Sequence, residues 1–138
     1  NPQRVLRAVE VCLLSGRTFS SYKLKEPKKR AFEIEKICLN RSREVLYDRI
    51  NRRVVQMVDE GLVDEVRSLI QHRDLPALQT VGYKEIFDWM DFTQGKDDPS
   101  LPHSLDEAIA RIQNNTRHYA KRQITWWKRD PAVRWIEL

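Results

Sequence analysis

Phe32-Glu33-Ile34-Glu35-Lys36-Ile37-Cys38-Leu39-Asn40-Arg41-Ser42 is the stretch that decides the fold class. Phe32 and Ile34 alternate with Glu33 and Glu35 before the apolar run Ile37-Cys38-Leu39, the pattern of a strand whose far end enters a core. Asn40 or Ser42 can then cap a helix that turns Leu46, Ile50, Val54, Met57 and Val58 inward and ends near Gly61. A strand feeding directly into a helix predicts an α/β arrangement.

Downstream, a second helix is expected from Leu62 to about Gln71, then a loop over Pro76–Gly82 and a short helix from Tyr83 to Met90. Gly95 to His103 reads as another loop. Ser104-x-x-Glu107 is a capping box that opens a long helix with Leu105, Ile109, Ile112, Tyr119 and Trp126 at apolar helical spacing. Pro131 stops this helix, and Val133 to Ile136 is expected as a closing strand. Upstream, Asn1 and Pro2 start a helix whose Val5, Leu6, Val9, Cys12 and Leu13 recur until Gly16, and Lys23 to Arg30 is an exposed basic loop. The expectation is a mostly helical α/β chain with few strands, the tail end of a sheet whose other strands lie elsewhere, because two short strands make no independent sheet of ordinary size.

Composition narrows the class. At 138 residues, 41% hydrophobic and 33% charged, one globular domain is expected, too apolar for a disordered tail and too charged for a membrane protein. No apolar run approaches the roughly 18 residues of a bilayer span, and the amino end has no secretory character. The missing initiator Met points to an excised fragment. Cys12 and Cys38 lack metal-ligand spacing and read as buried thiols in a reducing cytoplasm. His72, His103 and His118 have no ligand spacing either, so no metal site is expected. The four glycines exclude a Walker A loop within these residues. The net charge of +5 matters only if it is clustered, and it is.

Arg111 to Arg129 contains Arg111, Arg117, Lys121, Arg122, Lys128 and Arg129 and no acidic residue. Arg111, Asn115, His118, Arg122, Thr125 and Arg129 recur at alternating steps of 4 and 3, forming one polar stripe suited to phosphates and base edges. A solvated helix face would look the same. Gln3 and Arg7 share a face at the amino end of the first helix, where unpaired N–H groups favour an anion. Arg49 and Arg53 lie one turn apart with Gln56 extending the face; two such guanidinium groups can hold a diphosphate, although ordinary ion pairing, as between Asp48 and Arg52, fits the pattern too. Gln79-Thr80-Val81-Gly82-Tyr83-Lys84 joins a glycine suited to positive φ or close backbone approach, a tyrosine able to stack and a cation; by composition it is only a helix entry.

Five blocks, in order, carry a resemblance to a known family: Asn1-Pro-Gln-Arg-x-x-Arg-Ala-x-Glu10, Arg49-Ile-x-x-Arg-Val-x-x-Met57, Gly61-Leu-Val-x-Glu-Val, Thr80-Val-Gly-Tyr-Lys and Thr116-Arg-x-x-Ala-Lys-Arg-Gln-Ile-Thr-Trp126. Together they resemble the C-terminal half of the tRNA dimethylallyltransferase (tRNA isopentenyltransferase) family, most specifically over Ala120 to Trp126. The resemblance implies the C-terminal portion of a P-loop NTPase-like, nucleotide-kinase-like fold. The implied enzyme transfers a dimethylallyl group from dimethylallyl diphosphate to N6 of adenosine 37, beside the tRNA anticodon, with the base out of its stack. The family's P-loop, its Mg²⁺ and its general-base Asp lie in an N-terminal part absent from these residues. Carried over, Gln3, Arg4, Arg7, Gln79, Thr80, Gly82, Tyr83, Lys84, Arg117, Lys121, Arg122, Gln123 and Lys128 are expected to contact the tRNA anticodon stem-loop. Arg49 and Arg53 are expected to face the diphosphate, with Arg53 catalytic. Lys84 stands where an arginine is also common, and a lysine keeps the charge without the bidentate fork. A cytoplasmic enzyme, monomeric at full length, is implied. Two alternatives stand beside it: a stand-alone RNA-binding helical module, and the adenylate isopentenyltransferase of cytokinin synthesis, to which a dense basic helix would be of less use.

Overall fold

The computed structural model describes residues 2–23 and 30–138. Contacts divide the chain into two units, Asn1–Ile34 and Glu35–Leu138, where length alone led to one domain. In the first unit, α1 spans Pro2–Ser15, and its apolar positions Val5, Leu6 and Leu13 are all exposed. A 3₁₀ turn at Phe19–Tyr22, which no periodicity announced, follows it. The expected cap at Asn1 and residues 24–29 of the expected basic loop lie outside the described residues.

In the second unit the sheet has two parallel strands, β1 at Lys36–Asn40 and β2 at Val133–Glu137, in register from Lys36 opposite Val133 to Asn40 opposite Glu137. The alternating Phe32–Glu35 segment is not part of β1, contrary to expectation, and Phe32 and Ile34 are exposed. A strand exists where its ladder exists, and the partner offers only five residues. Side chains fasten the ladder at both ends, Lys36 to Asp130 at 2.5 Å and Asn40 to Glu137 at 2.7 Å.

Helix α2 spans Arg43–Asp59; of the two candidate caps, Ser42 serves, its hydroxyl accepting from the Val45 N–H at 3.4 Å. Val54 is buried, and Leu46, Ile50, Met57 and Val58 are half-buried, which is the inward stripe expected. Gly61, at φ 106°, reverses the chain into α3, Leu62–Ser68, which is shorter than expected because a 3₁₀ turn at Ile70–His72 replaces its last turn. Helix α4 spans Tyr83–Thr93 and α5 spans Leu105–Trp127.

Helices α2 to α5 enclose the core of this unit: Val54, Leu62, Val66, Ile86, Phe87, Met90, Ala108 and Ile112. Burying a side chain such as Phe87 contributes roughly 1.5–3 kcal/mol. The Arg73 guanidinium lies over the Phe87 ring at 5.2 Å and binds Asp91 bidentately at 2.5 and 3.1 Å, which closes the polar rim of the core. The capping box at α5 is half as expected. Ser104 Oγ accepts from the Glu107 N–H at 3.1 Å, but the Glu107 carboxylate reaches the His103 N–H, at 2.9 Å, rather than that of Ser104. Cys12 and Cys38 are half-buried free thiols, less enclosed than expected.

Candidate functional site

The basic stripe of α5 does not act as one surface. Arg111 turns back on the fold, donating to the Ser100 carbonyl, to that of Leu101 at 3.3 Å and to Glu107 at 2.5 Å. Asn115 is bonded to Glu85 at 2.7 Å. Arg117 braces α2, with Asn51 Oδ1 at 2.7 Å and the Tyr47 ring at 5.8 Å. The exposed remainder is His118, Lys121, Arg122, Gln123, Thr125, Lys128 and Arg129, two turns beyond the core.

Tyr119 and Trp126, expected on the inward stripe, are instead 53% and 66% exposed. The periodicity is real, but the core against which α5 packs ends at Ile112, and the last turns of the helix run past it. The aromatic rings therefore stand among the cations. Arg122 lies over the Tyr119 ring at 5.7 Å, and Trp126 lines a shallow hollow with Lys121, Arg122, Thr125 and Arg129. Cations interleaved with exposed rings are the side-chain chemistry that holds phosphates and stacked bases.

Three further hollows extend this surface. A cavity of about 280 Å³ is lined by Asn40, Arg41, Arg43, Tyr47, Lys121, Thr125 and Lys128, among others. One of about 260 Å³ brings Arg49 of α2 beside Gln123 of α5. Arg49 also lines the exposed face holding Arg52, Arg53 and Gln56. The hollows share Arg49, Arg41 and Lys121, so a continuous band runs from Arg53 to Arg129, and no acidic side chain is among its lining residues. Asp48 pairs with Arg52, as expected from their spacing, whereas Arg49 and Arg53 have no ion-pair partner among the described residues. Arg41 and Arg43 escaped the sequence reading. The available signal was an arginine in the first turn of a helix, where the macrodipole disfavours a cation by roughly 0.3–1 kcal/mol.

The segment from Gln79 to Lys84 is held at three points. Gln79 Nε2 donates to the Arg73 carbonyl at 2.6 Å, the Gly82 N–H to Glu85 at 2.7 Å and the Tyr83 hydroxyl to Glu65 at 2.5 Å. The Glu65 hydrogen bond, with burial, pushes the Tyr83 phenol above its usual range. Gly82 sits at φ 103° with nothing within 4 Å of where a Cβ would stand, so backbone conformation rather than close approach requires glycine here. Thr80 and Lys84 are exposed. In the first unit, Arg7 pairs with Glu10 at 3.2 Å, and Arg4 and Arg7 line a hollow beside Phe19.

Among the described residues no group of three or more His, Cys, Asp or Glu could hold a metal ion, and no helix is long and apolar enough to cross a membrane.

The family model described as IPP transferase matches residues 1–130. The chain is 50% identical over 136 residues to tRNA dimethylallyltransferase 1 of Bacteroides fragilis, covering 99% of this chain and 42% of that relative. It is 44% identical over 138 residues to the tRNA dimethylallyltransferase of Christiangramia forsetii, covering 100% and 43%. Among solved structures, the full-length tRNA isopentenylpyrophosphate transferase of Bacillus halodurans superposes with a TM-score of 0.67 at 39% identity, over 99% of this chain and 39% of that one. The chain thus spans about two fifths of the length of the curated relatives it matches.

Proposed function

The chain belongs to the IPP transferase family, and from that premise we propose that it is the portion of a tRNA dimethylallyltransferase that grips the anticodon stem-loop and faces the diphosphate of dimethylallyl diphosphate. The observation that carries the reading is the band of cations from Arg53 through Arg49 and Gln123 to Lys121, Arg122 and Arg129, in which Asp48 and Glu60 engage Arg52 and Gln56 at one end while Arg49 and Arg53 have no ion-pair partner among the described residues. Both of its proposed ligands are polyanions. Each phosphate contact by Lys or Arg releases a counterion, and two arginines one turn apart match a diphosphate.

In the proposed reaction N6 of adenosine 37 attacks the allylic carbon, the carbon–oxygen bond breaks, the diphosphate departs with the electron pair and N6 gives up one proton to the general base of the protein's other portion. Arg53 stabilises the charge that grows on the departing oxygens, with Arg49 beside it. Gln3, Arg4, Arg7, Gln79, Thr80, Tyr83 and Lys84 belong to the RNA grip along with Lys121, Arg122, Gln123 and Lys128, while the buried Gly82 shapes its loop and Arg117, turned onto Asn51 and Tyr47, holds the helix that carries it. The P-loop, the general-base Asp and Mg²⁺ belong to the remainder of a nucleotide-kinase-like protein acting as a cytoplasmic monomer. The described residues offer a metal no ligand set, so no step is assigned to it here.

The test is transfer by the full-length protein to two anticodon stem-loops that differ only in adenosine or guanosine at position 37. Transfer to the first and none to the second, with similar affinity for both, is expected. Transfer to free adenylate in preference to either RNA would contradict the reading.

A further inference from the structure

Glu85 is the one buried charged residue among those described, 5% exposed, and both of its oxygens are engaged. Oε2 accepts the Gly82 N–H at 2.7 Å, and Oε1 accepts Asn115 Nδ2, from the long helix, at 2.7 Å. The first bond fastens the segment that presents Thr80 and Lys84. The second fastens that segment to α5 two turns from Arg122, since positions 115 and 122 share a face, about 10 Å apart along the axis. The second bond satisfies the oxygen that burial would otherwise leave unpaired, and it draws its donor from α5 rather than from α4 or its loop, so the cap is tied to a second element.

We propose that Glu85 and Asn115 form a positioning clasp, which fixes the spacing between the Thr80–Lys84 segment and the basic end of α5 and thereby matches both to one RNA stem-loop. The inference rests on the reading of these two segments as RNA contacts. Neither clasp residue touches RNA. Glu85 is buried and Asn115 half-buried, so their effect on binding runs through the geometry they impose. The pairing is also directional. Asn115 donates and Glu85 accepts, so an acid at position 115 faces a carboxylate, whereas a glutamine at 85 can still accept from Gly82 and donate to an acid at 115.

The experiment measures anticodon stem-loop affinity of the full-length protein by titration, with thermal midpoint as a control. Asn115→Asp should weaken binding by about tenfold, the usual consequence of losing one hydrogen bond to a charged group. Glu85→Gln alone should bind nearly as the parent does, because the Asn115 amide can turn to accept. The double variant Glu85→Gln/Asn115→Asp should recover the parent affinity, and the loss in Asn115→Asp should be seen well below its thermal midpoint, where the protein is fully folded, which a fold weakened by the facing carboxylates would not show. Lys84→Ala reports the underlying reading independently. If Lys84→Ala weakens binding while Asn115→Asp leaves it unchanged at an unchanged midpoint, the clasp is overturned and the RNA contact stands. If neither variant affects binding, the RNA reading of the segment fails and the clasp falls with it. Loss in Asn115→Asp without recovery in the double variant also overturns the pairing.

Discussion

Arg53 and Arg111 are the same side chain on two helices, one exposed and one half-buried, and their surroundings give them opposite uses. Arg111 spends its donors on the carbonyls of Ser100 and Leu101 and on Glu107, so it holds the loop before α5. Arg53 has no such partner and shares an open face with Arg49 and Gln56. If it stabilises the leaving diphosphate, Arg53→Ala in the full-length protein should lower kcat by about 10²–10³-fold, the usual size for one lost electrostatic donor, and Arg53→Lys should restore only part of it because a point charge lacks the fork. Steady-state kinetics at saturating tRNA measures both. The sequence could not separate the two arginines, because the fate of Arg111 depends on carbonyls ten and eleven positions earlier in a loop without periodicity.

Asp91 supplies a residue-scale test of the fold. The Arg73 hydrogen bonds, helped by Lys96 at 3.0 Å, hold its carboxyl below the usual carboxylate range. A carboxyl whose pKa is lower folded than unfolded stabilises the protein above its unfolded pKa of about 3.9, and that stability is lost as pH falls through the folded value. The urea midpoint should therefore drop on acidification below about pH 4. Asp91→Asn should be less stable at neutral pH by about 1–3 kcal/mol and flatter over the acid range. An Asp91→Asn midpoint equal to the parent's at neutral pH would show that the Arg73 pair contributes nothing.

At the scale of elements, helix α5 carries two jobs in sequence: Ala108 and Ile112 build the core, and the turns after Arg117 present cations and rings to solvent. Its amphipathic period was plain in the sequence, as were the inward face of α2, the Ser104 cap and the closing strand. The point along α5 where packing stops was not, because period gives the direction of a face and says nothing of where a neighbouring helix ends. The same limit explains β1, whose length is set by a partner strand almost a hundred residues away in the chain. Lys121→Ala/Arg122→Ala should reduce the log–log salt slope of stem-loop binding by about 0.7–0.9 for each lost phosphate contact. A slope equal to the parent's would make this stretch a solvated face, the alternative that residue types alone left open.

For the molecule as a whole, the sheet departs most from ordinary α/β architecture. Parallel strands are ordinarily covered on both faces and occur in larger sheets. Here Ile37, Leu39 and Ile136 are 47%, 64% and 37% exposed on a two-stranded ladder. That geometry accords with a chain spanning about two fifths of its relatives' length, and with the expectation that the diphosphate cradle and general base reside elsewhere. The 138-residue chain alone, incubated with tRNA and dimethylallyl diphosphate, should form no modified adenosine; turnover comparable to that of a full-length enzyme would place the catalytic core within these residues.

The central claim is that one surface divides its work, with Arg53 acting on the leaving group and the basic end of α5 holding RNA. The most direct measurement follows single-turnover dimethylallyl transfer and stem-loop affinity on the same two full-length variants, Arg53→Ala and Lys121→Ala/Arg122→Ala. The division predicts that Arg53→Ala loses rate at saturating RNA while keeping its affinity, and that Lys121→Ala/Arg122→Ala loses affinity while keeping its rate once saturated. If Arg53→Ala weakened stem-loop binding and left the single-turnover rate intact, Arg53 would belong to the RNA surface and the division would be contradicted.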